Sequence, residues 1–249
     1  MTNNKFFIAN WKMFGDIKSV NSIKKVINFC KIKKYQKSTI VYCPPYTLID
    51  RFLSLTKNSR IKIGAQNCHH YQKPGPFTGS INVDLLKSIG AKYVIIGHSE
   101  NRLSGDTNKI INLKIKSALK KNLNVIFCIG ESLKEKKTNK TNKVLNSQIK
   151  NGLKDIKKNK KIIFAYEPVW SIGTGKILKI NDLEKQVVII KKNIKRFFKL
   201  NDPKVVYGGS VNPKNITELK KISSINGFLI GGASQRAKNF IDIIKKSIN

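Results

Sequence analysis

Residues 162–176 read IIFAYEPVWSIGTGK: an apolar, β-branched run, a lone carboxylate at Glu167, a Pro-Val-Trp turn, then Gly-Thr-Gly-Lys. The run shows no polar alternation, which is the pattern of a strand covered on both faces in a parallel sheet. Its glycine-rich end raises the possibility of a nucleotide P-loop, which needs a glycine, four residues, then Gly-Lys-Ser/Thr. Trp170 stands five positions before Gly175, and Ile177 follows Lys176, so the spacing excludes that motif. What remains is a buried strand that delivers an acid to a corner, followed by a loop built to bend.

Moving outward, the same unit recurs. FFIAN (6–10), TIVYC (39–43), IKIGAQN (61–67), YVIIG (93–97), VIFCIG (125–130), IIFAYE (162–167), VVYGGS (205–210) and FLIGG (228–232) are short apolar runs, each ending in a polar or glycine-rich corner. Helical patterns lie between them. Leu183, Val187, Ile190, Ile194 and Phe197 form a stripe at three-to-four-residue spacing with lysines opposite. Asn181, with Glu184 three residues on, reads as its capping box, Asn212-Pro213 opens another helix, and Gly90 closes the helix before 93–97. Eight strand–helix alternations without a linker predict an α/β fold with one domain over residues 1–249. A closed (β/α)8 barrel is the natural solution, with an open doubly wound sheet as the alternative.

Hydrophobic residues make up 40% of the 249 positions, enough for a real core. The N-terminal MTNNKFFIANWKMFG has only a short apolar stretch before Asn10, less than a signal-peptide core requires, and no later run approaches a membrane span. A cytoplasmic protein is expected. Cys30, Cys43, Cys68 and Cys128 are far apart with no CxxC pair, which reads as buried thiols. Cys68-His69-His70 is the one metal-like cluster, but three adjacent residues rarely converge on one ion, so no metal is expected. The 49 basic residues against 14 acidic give a net charge of +35. The lysines are scattered among Asn and Ile without aromatic interleaving or a basic block, so AT-rich coding explains them better than dedicated nucleic-acid binding does.

In a barrel of this kind chemistry sits at the C-terminal ends of the strands. The corners there are Asn10-Trp11-Lys12, His98-Ser99-Glu100, Glu167, Gly208-Gly209-Ser210 and Gly231-Gly232. Each alone is ordinary: a solvated Glu, a structural His, a surface Lys, tight glycine turns. Together they supply a carboxylate base, an imidazole proton relay, an ammonium for a developing oxyanion and backbone donors for phosphate. The set lacks an activated Ser or Cys, an acidic metal cluster and a dinucleotide GxGxxG. That is equipment for removing a proton α to a carbonyl in a small phosphorylated aldehyde or ketone.

NWKM (10–13), GHSE (97–100), CIGE (128–131), AYEPVWSIGTGK (165–176), YGGSV (207–211) and GFLIGGAS (227–234) occur in the order of the triosephosphate isomerase family, which the chain resembles over essentially its whole length. The resemblance implies cofactor-free interconversion of dihydroxyacetone phosphate and D-glyceraldehyde 3-phosphate, in glycolysis and gluconeogenesis. It further implies that Glu167 is the base, that His98 polarises the carbonyl while neutral, and that Lys12 holds enediolate and phosphate charge. This family is itself the standing example of such a neutral imidazole. Asn10 and Trp11 would bind substrate beside Lys12. Gly173, Ser210, Gly231 and Gly232 would hold the phosphate, with Glu100 behind the site and residues 168–176 as a closing lid.

The resemblance also implies a homodimer in which the loop QNCHHYQKPGPFTGS (66–80) inserts beside Asn10 and Lys12 of the partner. Two departures bear on it. Asn101 stands where the family usually has arginine and Ser80 where it usually has glutamate, so that pair of charges cannot form across the interface. The stretch after Arg102 is a residue short, and Asn226 replaces a common Asp. Two rivals remain on the residues alone: an aldolase using Lys12 as a Schiff base, and a nucleic-acid-binding protein on an inactive barrel.

Overall fold

A computed structural model describes residues 5–249; residues 1–4, the start of the N-terminal stretch read above, lie outside the described residues. The eight apolar runs form strands β1 (Phe6–Asn10), β2 (Thr39–Cys43), β3 (Lys62–Ala65), β4 (Tyr93–Ile96), β5 (Asn124–Ile129), β6 (Ile162–Tyr166), β7 (Lys204–Tyr207) and β8 (Gly227–Ile230). All neighbours are parallel, and β1 pairs with both β2 and β8, so the sheet closes on itself in chain order. This is the eight-stranded barrel, not the open sheet. A helix follows each strand and covers its outer face, from Ile23–Cys30 after β1 to Ala237–Ile248 after β8.

Side-chain alternation divides each strand between two cores. Ile8, Val41, Tyr93, Ile95, Ile126, Cys128, Ile163, Ala165, Val206 and Leu229 point into the barrel and pack together there. The intervening residues, such as Phe7, Phe127, Phe164 and Tyr166, face the helices in a larger cluster. The period of two sets the direction of whatever follows a strand. In β6 the inward set Ile163, Ala165 continues to Glu167. In β1 the inward Ile8 continues to Asn10. The apolar parity thus aims the polar corners at the barrel mouth.

Several local expectations change. The strands at 61–67 and 205–210 are shorter than read, because their polar and glycine ends leave the ladder to form corners. The long helix is Ile180–Phe198 with Lys179 at its N-cap and no side-chain cap, so Asn181 is already helical and the Asn181–Glu184 capping box does not form. Glu184 instead accepts from the Ser224 backbone N–H at 3.2 Å. On the same helix Phe198, not Phe197, ends the buried stripe. Phe197 lies near the Lys150 ammonium and the Arg196 guanidinium instead. Asn212 does start a turn, accepting from the Lys214 and Asn215 amides, but the regular helix begins only at Ile216. Gly90 follows its helix at φ +99°, where a side chain would be strained, as read. Asn226 is buried and ties β1 to β7: its carbonyl accepts from Phe6 N–H and its side chain from Val205 N–H. Among the described residues no helix is long and apolar enough to cross a membrane.

Candidate active site

The C-terminal ends of the strands enclose a cavity of about 290 Å³, near the lower end of the ~300–1,000 Å³ range of ligand pockets. Asn10, Lys12, His98 and Glu167 form one side, and Gly173, Ser210, Gly231 and Gly232 reach it from three loops. These residues come from β1, β4, β6, β7 and β8, so the barrel gathers groups spread over more than two hundred positions. Trp11 is the exception. Its position is outward in the strand alternation, and its ring packs edge-on against Phe52 at 5.1 Å while its indole N–H donates to the Ser234 carbonyl. It braces the two corners from behind and does not line the cavity. Phe14, Leu229 and Gln235 do line it, without having been singled out in the sequence.

Glu167 is 3% exposed. Its Oε1 lies 3.5 Å from His98 Nε2, and its buried Oε2 has no hydrogen-bond partner. Burial pushes its carboxyl above the usual carboxylate range, while the facing His98, the Cys128 thiol and Lys12 pull it back. Two glycines make room for it. A Cβ on Gly130 would lie 1.8 Å from the Glu167 carbonyl oxygen, and one on Gly208 would lie 2.6 Å from its Cγ. Real Cβ atoms show neither distance: at Gly130 the fixed Glu167 backbone bars a Cβ, and at Gly208 a Cβ would push the Glu167 side chain aside.

His98 sits one residue past an inward position and would point outward if β4 continued. Gly97, at φ +78°, breaks the strand there and turns the imidazole into the mouth. The Glu100 backbone N–H, in the first turn of helix Ser99–Leu103, donates to Nδ1 at 3.2 Å. An Nδ1 that accepts an N–H cannot itself carry the proton, so the neutral ring bears it on Nε2, facing the cavity and Glu167.

Lys12 occupies the left-handed region at φ +55°, a conformation that costs a non-glycine residue on the order of 1–2 kcal/mol. It is held there from both sides: its N–H donates to Asn10 Oδ1 at 3.1 Å, and its carbonyl accepts from Gln66 Nε2 at 2.8 Å. Gln66 also binds the Cys43 carbonyl, so one amide pins the Lys12 backbone to β2. It was missed because an isolated Gln carries no chemical signature. The Lys12 ammonium donates to Glu100 at 2.6 Å, a half-exposed pair of the kind that contributes little and exchanges partners readily.

The 168–176 segment begins with a short turn, Val169–Ser171, and carries Gly173 and Gly175 at φ +71° and +76°. Trp170 anchors its start by donating to Glu131 at 3.1 Å, with the Lys136 ammonium 3.6 Å over its ring. Burial raises the Glu131 carboxyl above its ordinary range, opposed by hydrogen bonds from Trp170 and Tyr166. Ser171 is fully buried. Its hydroxyl donates to the Lys176 carbonyl at 2.6 Å and accepts from the Ser210 N–H at 3.3 Å. With its single proton committed to Lys176, it must accept from Tyr207, whose hydroxyl is 3.1 Å away. The two ends of the segment are thus tied to each other and to the corner after β7.

A cavity lined by a buried carboxyl, an imidazole, an ammonium and glycine-rich corners matches a known family. The family model described as triosephosphate isomerase matches residues 5–247. The chain is 41% identical to triosephosphate isomerase of Dictyoglomus thermophilum, over 97% of this chain and 98% of that one. It is 38% identical to that of Aquifex aeolicus, over 96% and 98%. Among solved structures, triosephosphate isomerase of Bartonella henselae superposes with a TM-score of 0.88 at 34% identity, covering 98% of both chains. The chain belongs to the triosephosphate isomerase family.

Proposed function

We propose that this cavity interconverts dihydroxyacetone phosphate and D-glyceraldehyde 3-phosphate, the isomerisation of triose phosphates in glycolysis, with the residue roles that follow. The observation that carries the assignment is the unpartnered Oε2 of buried Glu167, set beside the protonated Nε2 of His98. The free oxygen takes the proton from the carbon next to the carbonyl, and the same carboxyl returns it to the neighbouring carbon. His98 Nε2–H donates to the carbonyl oxygen as the enediolate forms and shifts the proton between the two oxygens. The Lys12 ammonium leaves its exposed pairing with Glu100 to meet the oxyanion and phosphate, and Asn10 fixes its backbone. Gly173, Ser210, Gly231 and Gly232 hold the phosphate. For the Ser210 amide this requires release from Ser171, so phosphate binding and lid closure are coupled. A coupled assay for triose phosphate isomerisation tests the reading. Borohydride trapping of a substrate–Lys12 adduct would instead support the aldolase.

We place the whole chain, 1–249, in one barrel domain working in the cytoplasm as a homodimer. The dimer reading is supported by loop 66–80, where Phe77 stacks on Tyr71 at 4.8 Å while both remain exposed. Met13 and Ile17 beside the β1 corner are 94% and 73% exposed, large apolar groups that ask for cover. With Ser80 and Asn101 in place of charges, apolar burial must carry the association. Sedimentation should show a dimer at micromolar concentration that Phe77→Asp shifts toward monomer. A fully active monomer at that concentration would defeat the proposal.

The +35 charge has a kinetic consequence whatever its origin. The substrate is a phosphate dianion, and a cationic surface can raise encounter rates roughly 10–10³-fold, an effect that salt screens. Encounter limits the fastest members of this family. Accordingly kcat/KM should fall with inert salt while kcat stays flat. A kcat/KM unchanged between low and physiological ionic strength, corrected for anion inhibition, would show that the charge does not steer.

A further inference from the structure

At the opposite end of the barrel, where the strands begin, lies a second cavity of about 740 Å³. One strand length, about 16 Å at 3.3 Å per residue, separates it from the catalytic mouth. Lys5 before β1, Lys33, Lys34 and Lys37 before β2, and Lys220 before β8 line it, and its described lining includes no acidic residue. Among the described residues no carboxylate pairs with Lys5, Lys33, Lys34 or Lys220. Lys5 is half-buried, and burial together with the neighbouring Lys220 lowers its pKa. Like charges held together at a partly desolvated site are costly unless an anion joins them.

The rest of the lining is of a different kind. Ile222 and Ile225 form a nearly buried floor between the lysines, and the partly exposed Ile248 is the apolar surface a ligand can reach. Ser247 also lines the cavity, and its buried hydroxyl has no hydrogen-bond partner, an uncommon state for such a group. The volume is more than twice that of the catalytic cavity and far exceeds what a lone phosphate needs. Lysines grouped around an apolar surface suit a ligand with phosphates at one end and a flat, weakly polar body at the other.

We propose that this basal cavity is a second ligand site, which binds a phosphorylated small molecule of the nucleotide class through the lysines and places its ring against Ile248. Its occupation is independent of the catalytic mouth, because the two share no residue.

The test is titration with ADP at physiological salt, alongside adenosine and inorganic triphosphate as separate halves of the ligand, with lysine acetylation as a footprint. ADP should bind more tightly than either half, protect Lys5 and Lys220 from acetylation, and persist in saturating dihydroxyacetone phosphate. Lys33→Glu/Lys34→Glu, on an exposed turn, should weaken ADP about tenfold or more, the scale of one lost charge-assisted contact, and leave isomerase kcat unchanged. Displacement of ADP by dihydroxyacetone phosphate would place it in the catalytic mouth and overturn the proposal. So would triphosphate binding as tightly as ADP, or protection spread evenly over the surface lysines. Single-stranded RNA protecting Lys5 and Lys220 where ADP does not would likewise overturn it, in favour of a polyanion surface.

Discussion

Glu167→Gln is expected to fold as the parent does and to lose about 10²–10⁴-fold in kcat, the range of general-base contributions. The amide keeps the shape that Gly130 and Gly208 accommodate but cannot take a proton. Stability supplies a second readout of opposite sense. In the parent, burial raises the Glu167 pKa above its ordinary value of 4.5. Below 4.5 the carboxyl is protonated in both folded and unfolded chains. As pH rises from 4.5 through the higher folded value, the unfolded chain has released a proton that the native state still holds, so stability falls, and it stays lower above that window. Gln has no such loss. The Tm of Glu167→Gln relative to the parent should therefore climb with pH across that window and then level. Glu131, raised in the same direction, is present in both proteins and cancels. Turnover within a factor of two of the parent would remove Glu167 as base, and a pH-independent Tm difference would show that its charge is not buried at a cost.

The barrel, and the corner residues that share one cavity, were legible in the sequence because eight apolar runs each end in a polar or glycine-rich corner; the structure adds strand parity as what aims those corners inward. Apolar positions 163 and 165 carry their inward direction to Glu167, and Ile8 carries it to Asn10, so a period of two names the corner groups. The same rule, applied one residue further, would have turned Trp11 to the core. The family resemblance groups it with the substrate-binding residues, but its indole lies behind the corner. His98 breaks parity, and Gly97 is the visible cause. What stayed hidden depends on contacts between distant segments. The Gln66 amide on the Lys12 backbone spans 54 positions, and the Ser171 bridge to Ser210 spans 39. Neither residue type announces such a role. The capping box at Asn181 failed for the opposite reason: the pattern was local and common, and Glu184 was drawn into a contact 40 positions away.

Gly208→Ala is expected to lower kcat about 100-fold while the chain still folds. Gly208 is not in the left-handed region, so alanine imposes no backbone penalty there, and any effect must come from its methyl. That methyl would lie 2.6 Å from Glu167 Cγ and 2.9 Å from Oε1, so the carboxylate must move. A misplacement of about 1 Å is worth about 10² in rate, whereas overpacking of this kind costs about 1–3 kcal/mol of stability. The atoms nearest that methyl all belong to Glu167 and none to the proposed phosphate donors Ser210, Gly231 and Gly232, so KM should change less than kcat. The decisive comparison is a double-mutant cycle, because groups acting as a unit are non-additive. If the methyl acts by displacing the base, Gly208→Ala should cost almost nothing further in a Glu167→Gln background, where no base is left to displace. An equal 100-fold loss in both backgrounds would mean that Gly208 serves the reaction by another route, such as its own approach to the substrate.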